Sequence, residues 1–223
     1  MKYKAAIFDM DGLLLDTESM FLDAFMKSCE QSGLEFDMSL FKRLIGTNSV
    51  KTKEILIEGF DKNFNYEAFR TRWVQNVKDD IYKNSIPLKQ GAVPLLDRLH
   101  ELGLPMTVAT STAYDDAIKS LELTGIIHYF ELIVAGDQVT KGKPDPEIYL
   151  KSANKLGISP DACIVFEDSE NGVKSAHAAG MDVIQVPDLL EPSEEIKNLG
   201  HRIYNSLDDV CRDFERIFSG FPA

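Results

Sequence analysis

The stretch that decides the fold is AAIFDMDGLLLDTES, Ala5 to Ser19. Its first four residues, Ala5 to Phe8, form a short apolar run of the kind that makes a fully buried strand. The run ends in Asp9, Met10, Asp11 and Gly12, and a second apolar run follows at once. Residues i and i+2 of an extended chain point to the same side, so Asp9 and Asp11 offer two carboxylates together. Gly12 then lets the backbone turn sharply. Taken alone, the tetrapeptide reads equally well as a turn after a strand, and the remainder of the chain has to decide.

Downstream, Thr17 to Gly33 reads as a helix, with Thr17 as its N-cap and Phe21, Leu22, Phe25, Met26 and Cys29 at helical spacing. Three more helical stretches follow, Met38 to Ile45, Ser49 to Glu58 and Asn65 to Tyr82. No strand signal interrupts them before Ser85. From Pro87 the pattern alternates. Helices over Gly91–Leu102, Asp115–Leu123, Pro146–Leu156, Gly172–Ala179 and Ser206–Phe218 interleave with strands over Pro105–Ala109, Leu132–Ala135, Ala162–Phe166 and Val183–Val186. Such alternation predicts an α/β fold with a parallel sheet covered by helices on both faces. Residues 1–15 and 89–223 then form the core domain, and 16–88 a helical cap inserted after the first strand.

Composition narrows the function classes. The 223 residues carry a formal net charge of -12, which argues against nucleic acid or an anionic membrane as partner. Three cysteines, Cys29, Cys163 and Cys211, fit no metal spacing and read as reduced thiols of a cytoplasmic protein. No stretch has the pattern of a signal peptide or a membrane span, and no helix is apolar enough to suggest more than a monomer.

In open parallel sheets, ligands bind at the carboxyl ends of strands. There the sequence places Asp9 and Asp11, then Thr110, Ser111 and Thr112, then Glu167, Asp168 and Ser169, with Lys143 ahead of the Pro146 helix. Crowded carboxylates repel unless a cation compensates them. Mg²⁺ suits oxygen ligands and is bound through few carboxylates plus phosphate oxygens. Lys143 and the Thr110 hydroxyl can hold other oxygens of a phosphoryl group. One aspartate is then available as nucleophile and another as acid and base. Singly, each residue also has an ordinary reading as surface charge, turn or helix cap. It is their coincidence on one sheet edge that favours the chemistry.

The same residues resemble the haloacid dehalogenase superfamily, in its phosphatase and β-phosphoglucomutase-like branch with a helical cap. FDMDGLLLDTE matches its first motif, Thr110 in VATST the second, Lys143 in KGKPDPEIY the third, and FEDSENGVKSAHAAGM the fourth. The resemblance implies a Rossmann-like three-layer core, with Asp9 as nucleophile and Asp11 as general acid and base. It implies phosphate binding by Thr110, Ser111 and Lys143, helped by the Met10 and Asp11 amides. It also implies Mg²⁺ held by Asp9, the Asp11 carbonyl and Asp168, with Glu167 acting through water. Leu13 to Asp16 become a flap and hinge, and Gly46, Thr47, Asn48, Lys51 and Arg72 of the cap face the leaving group.

Two departures bear on the activity. The mutases carry a cap histidine where Phe21 stands, and an arginine for the distal phosphate where Ser49 stands. Lys51 offers a cation there but lacks the bidentate fork of arginine. The expectation is therefore a phosphatase of a small phosphorylated metabolite, a sugar or polyol phosphate, with a phosphohexomutase as the alternative. A phospho-aspartate signalling domain or a silent binding protein on the same fold fits less well, because the chain is long and no motif residue is missing.

Overall fold

The computed structural model describes residues 2–45, 47, 49–60, 64–84 and 86–219. The chain divides into two compact units, Met1–Asp16 with Ile86–Ala223, and Thr17–Ser85. Strand β1 (Ala5–Phe8) opens the first. Helices α1 (Thr17–Ser32), α2 (Met38–Lys42), α3 (Ser49–Gly59) and α4 (Tyr66–Asn84) make up the second. The first unit resumes with α5 (Ala92–Glu101), β2 (Met106–Ala109), α6 (Tyr114–Leu123), β3 (Leu132–Val134) and α7 (Glu147–Leu156). It ends with β4 (Cys163–Glu167), α8 (Glu170–Ala178), β5 (Asp182–Gln185), α9 (Glu194–Lys197), β6 (Arg202–Ile203), α10 (Leu207–Arg212) and α11 (Phe214–Ile217).

All six strands are parallel, in the order β3-β2-β1-β4-β5-β6. The central strands β1 and β4 are wholly buried and carry apolar residues without alternation, apart from Glu167, as a sheet covered on both faces requires. Successive side chains still point to opposite faces. Ala5, Ile7 and Val165 join Ile148 and Tyr149 of α7 and Val173 and Ala176 of α8 in one buried cluster. Phe8 and Phe166, paired in register, stack on each other with ring centroids 4.7 Å apart. The sheet order reverses at β1, so its carboxyl end and that of β4 form the crevice where such folds bind ligands.

The helical unit has its own core. Phe25 packs edge-on against Phe69 and Trp73, and Phe41 and Phe60 close around it. A buried polar chain ties α4 to α1: Asn76 Nδ2 donates to Ser28 Oγ at 2.9 Å, and Ser28 Oγ donates to the Ala24 carbonyl.

Three expectations about elements need correction. The stretch Met38 to Ile45 is helical only to Lys42, because Arg43 to Ile45 turn. The single closing helix over Ser206–Phe218 is two, broken at Asp213, whose backbone leaves the helical region. Strand β6 was not expected; it has only two residues, Arg202 and Ile203, both exposed, too few to show a periodic pattern.

Candidate active site

The first strand end is built by a tight turn. The amides of Leu14 and Leu15 both donate to the Met10 carbonyl, and the Gly12 amide donates to Leu15. Gly12 sits at φ 81°, and a Cβ there would lie 2.6 Å from Asp168 Oδ2, so only glycine fits. The turn points Asp9 and Asp11 at different partners.

Asp9 faces Lys143, whose ammonium is bonded to Asp9 Oδ1, to Glu167 Oε1 at 2.6 Å and to the Ala109 carbonyl at 3.0 Å. Three separate segments therefore converge on one nitrogen. Glu167 is fully buried and uses both its oxygens. Tyr149 donates to Oε1 at 2.7 Å, and the amide and hydroxyl of Ser169 both donate to Oε2 at 3.0 Å. The first turn of α8 presses on this carboxylate so closely that a Cβ on Gly172 would lie 1.7 Å from Glu167 Oε1. Asp11 instead accepts from the Thr112 hydroxyl at 2.6 Å and from Thr110 at 3.3 Å, while the Thr112 amide donates to Thr110 Oγ1.

The charges follow from burial. Burial pushes the Asp9 carboxyl up to about 8, against the pull of Lys143 and with the repulsion of Glu167 and Asp11. Burial likewise holds Asp168 well above the usual carboxylate range, with Glu167 and Asp9 adding to it. Burial would raise Glu167 too, but Lys143 and its hydrogen bonds keep it below its ordinary value. Burial opposes the charge on Lys143, yet Asp9 and Glu167 hold its pKa well above the usual one. Lys143 thus neutralises one carboxylate and leaves the others uncompensated.

Asp9, Glu167 and Asp168 place one oxygen each within 4.8 Å of one another. Three hard oxygen donors, in excess over the single ammonium, fit a divalent cation such as Mg²⁺.

Asp9, Asp11, Thr110, Lys143, Glu167 and Asp168 are therefore brought together at one sheet edge. Ser111 lies beside them and is exposed. Two contacts went unread in the sequence: Thr112 on Asp11 and Tyr149 on Glu167. Thr112 follows Thr110 at the same i, i+2 spacing as the aspartates, which was a usable signal. Tyr149 sits among apolar residues of α7 and looks like plain core.

In the helical unit, Gly46 and Asn48 lie outside the described residues. Thr47 Oγ1 donates to the Leu44 carbonyl at 2.7 Å and shares a hydrogen bond with Thr52. Lys51 pairs with Glu54 at 3.0 Å, and Arg72 donates to Ser32 at 2.9 Å. Each engages a neighbour of its own unit.

Residues 6–186 match the family model of the haloacid dehalogenase-like hydrolases. The chain is 34% identical over 181 residues to a phosphorylated carbohydrates phosphatase of Thermotoga maritima, covering 81% of this chain and 83% of that protein. It is 32% identical over 187 residues to the fructose-1-phosphate phosphatase of Escherichia coli, covering 83% and 97%. A solved structure assigned as a beta-phosphoglucomutase from Thermotoga maritima matches with a TM-score of 0.81 at 29% identity, covering 96% of this chain and all of that one. With these matches across most of its length, the chain belongs to the haloacid dehalogenase-like hydrolase family, in its phosphatase and phosphomutase branch.

Proposed function

We propose that this phosphatase is Mg²⁺-dependent, acts on a small phosphate monoester of the sugar or polyol class, and works through an aspartyl-phosphate on Asp9. The observation that carries the reading is the Lys143 ammonium clamped between Asp9 and Glu167, with Asp168 alongside. The named activities of the two curated relatives, a phosphorylated carbohydrates phosphatase and a fructose-1-phosphate phosphatase, support the substrate class.

In this reading the Asp9 carboxylate attacks phosphorus and the bond to the leaving oxygen breaks. Asp11 gives its proton to that oxygen. Water then attacks the phosphoryl group on Asp9, Asp11 takes back a proton, and inorganic phosphate leaves. Lys143 orients Asp9 beforehand and balances charge on the transferring group, and Thr110 and Ser111 offer hydroxyl donors. Asp9, Asp168 and the Asp11 carbonyl would hold Mg²⁺, with Glu167 beside them, and the ion would supply charge neutralisation for the phosphoryl oxygens. Selection of the leaving group is assigned to the helical unit, through Thr47, Lys51 and Arg72.

The test is phosphate release with Mg²⁺ across a panel of sugar, polyol and nucleotide phosphates, with Asp9→Asn as control. Turnover of at least one sugar or polyol ester, lost in the variant, is expected. Absence of turnover of every ester, or full activity in the variant, contradicts the proposal. Adding β-glucose 1-phosphate with a trace of the bisphosphate and looking for glucose 6-phosphate separates a mutase from a phosphatase; little or no such product is expected.

A further inference from the structure

Asp188 follows β5 and reaches the edge of the carboxylate group. Its side chain is 8% exposed. Oδ1 accepts from Lys89 Nζ at 2.6 Å, while Oδ2 is buried and has no hydrogen-bond partner among the described residues. A Cβ on Gly12 would lie 2.6 Å from Asp168 Oδ2 and 3.3 Å from Asp188 Oδ2. Two carboxylate oxygens from neighbouring strand ends therefore face the same small space over Gly12.

Asp188 is held through its other oxygen by Lys89. The Lys89 amide donates to the Leu14 carbonyl at 2.9 Å, and its ammonium also reaches Asp16 at 3.5 Å. Leu88 bridges to Leu15. Lys89 is thus anchored on the same turn that carries Gly12. A buried carboxylate oxygen needs a donor, and none of the described residues supplies one to Asp188 Oδ2. Among the described residues, the oxygens close enough to share one ion belong to Asp9, Glu167 and Asp168, and Asp188 is not among them.

We infer that Asp188 is a positioning residue of the metal centre: Oδ2 accepts a hydrogen bond from a water molecule on the divalent ion, and Lys89 holds the carboxylate in that orientation. The inference rests on the metal reading proposed above. Outer partners of this kind change metal affinity by roughly 10- to 100-fold when removed.

The experiment is calorimetric titration of Mn²⁺ into the metal-free full chain, without substrate, for the parent, Asp168→Asn, Asp188→Asn and Asp188→Ala, alongside melting of each without metal. The parent should bind one ion and Asp168→Asn should lose it. Both Asp188 variants should bind roughly 10- to 100-fold more weakly. Asp188→Asn keeps an oxygen for Lys89, so its metal-free melting temperature should stay near the parent's. Unchanged Mn²⁺ affinity in the Asp188 variants, with a lowered metal-free melting temperature, makes the Lys89 contact a structural tie only and overturns the inference. Failure of the parent to bind Mn²⁺ overturns the metal reading itself.

Discussion

At both ends of the sheet a lysine meets an aspartate, in opposite surroundings. At the amino end, Lys2 pairs with Asp182 at the start of β5, their side chains 61% and 46% exposed, and Tyr3 donates to Asp182 at 2.7 Å. At the carboxyl end, Lys143 pairs with Asp9 and Glu167, with side chains 6%, 9% and 0% exposed. The open pair settles quietly. Partial burial raises Asp182, but its bonds to Lys2 and Tyr3 prevail and hold it below the usual range. The enclosed group does not settle: burial drives Asp9 up even with an ammonium in contact. The same two residue types make a weak surface tie in one place and a charge-strained, reactive group in the other. What differs is access to water.

The largest expected effect separates reactivity from stability at the enclosed end. Asp9→Asn should lower turnover by roughly 10⁶-fold, as removal of a catalytic nucleophile does. The same change removes one of the crowded, buried carboxylates, whose burial outweighs its contact with Lys143, so the melting temperature should rise. A variant that loses activity because it is less stable would break the comparison.

Next comes the ammonium. Lys143→Met leaves two buried carboxylates facing each other and should cost about 3–5 kcal/mol in urea denaturation. Lys2→Met at the open end should cost less than about 1 kcal/mol. Equal costs would mean that burial is not what distinguishes the two ends.

A smaller effect is expected from Gly172→Ala, whose added carbon would collide with Glu167 Oε1. The helix must shift, costing about 1–3 kcal/mol as overpacking does. Turnover should fall along with stability, because Lys143 loses the position of one anchor. Stability at the parent level would show that α8 does not press on Glu167.

The smallest effect is the pH dependence at the open end. The folded Asp182 carboxyl titrates below its unfolded value, so its contribution is present above the unfolded pKa, near 4, and is lost as pH falls through the folded one. Asp182→Asn should therefore be slightly less stable than the parent at neutral pH and indistinguishable from it in strong acid. A difference that grows on acidification contradicts the assignment.

The carboxyl-end residues were legible in the sequence because each follows an apolar run. Phe8, Ala109 and Phe166 are the last apolar residues before Asp9, Thr110 and Glu167, and their strands lie side by side in the sheet. Lys143 was readable only through the motif around it, since it lies on a loop. The bond of Thr112 to Asp11 was not read, nor were Tyr149, Lys89 and Asp188; these pairs lie 18 to 101 positions apart in the chain. Such pairings arise from the crossing of strands, which local spacing does not encode. Strand β6 escaped for a different reason: its pairing to β5 comes from backbone hydrogen bonds, which any side chain permits.

The central claim is that Asp9 carries the phosphoryl group. It is tested most directly by trapping the enzyme with borohydride during turnover of a phosphate ester and sequencing the resulting peptides. An acyl phosphate is reduced to the alcohol, so the account predicts homoserine in place of Asp9 in the parent and none in Asp9→Asn. Steady turnover with position 9 unreduced, or reduction at another carboxylate, would contradict it.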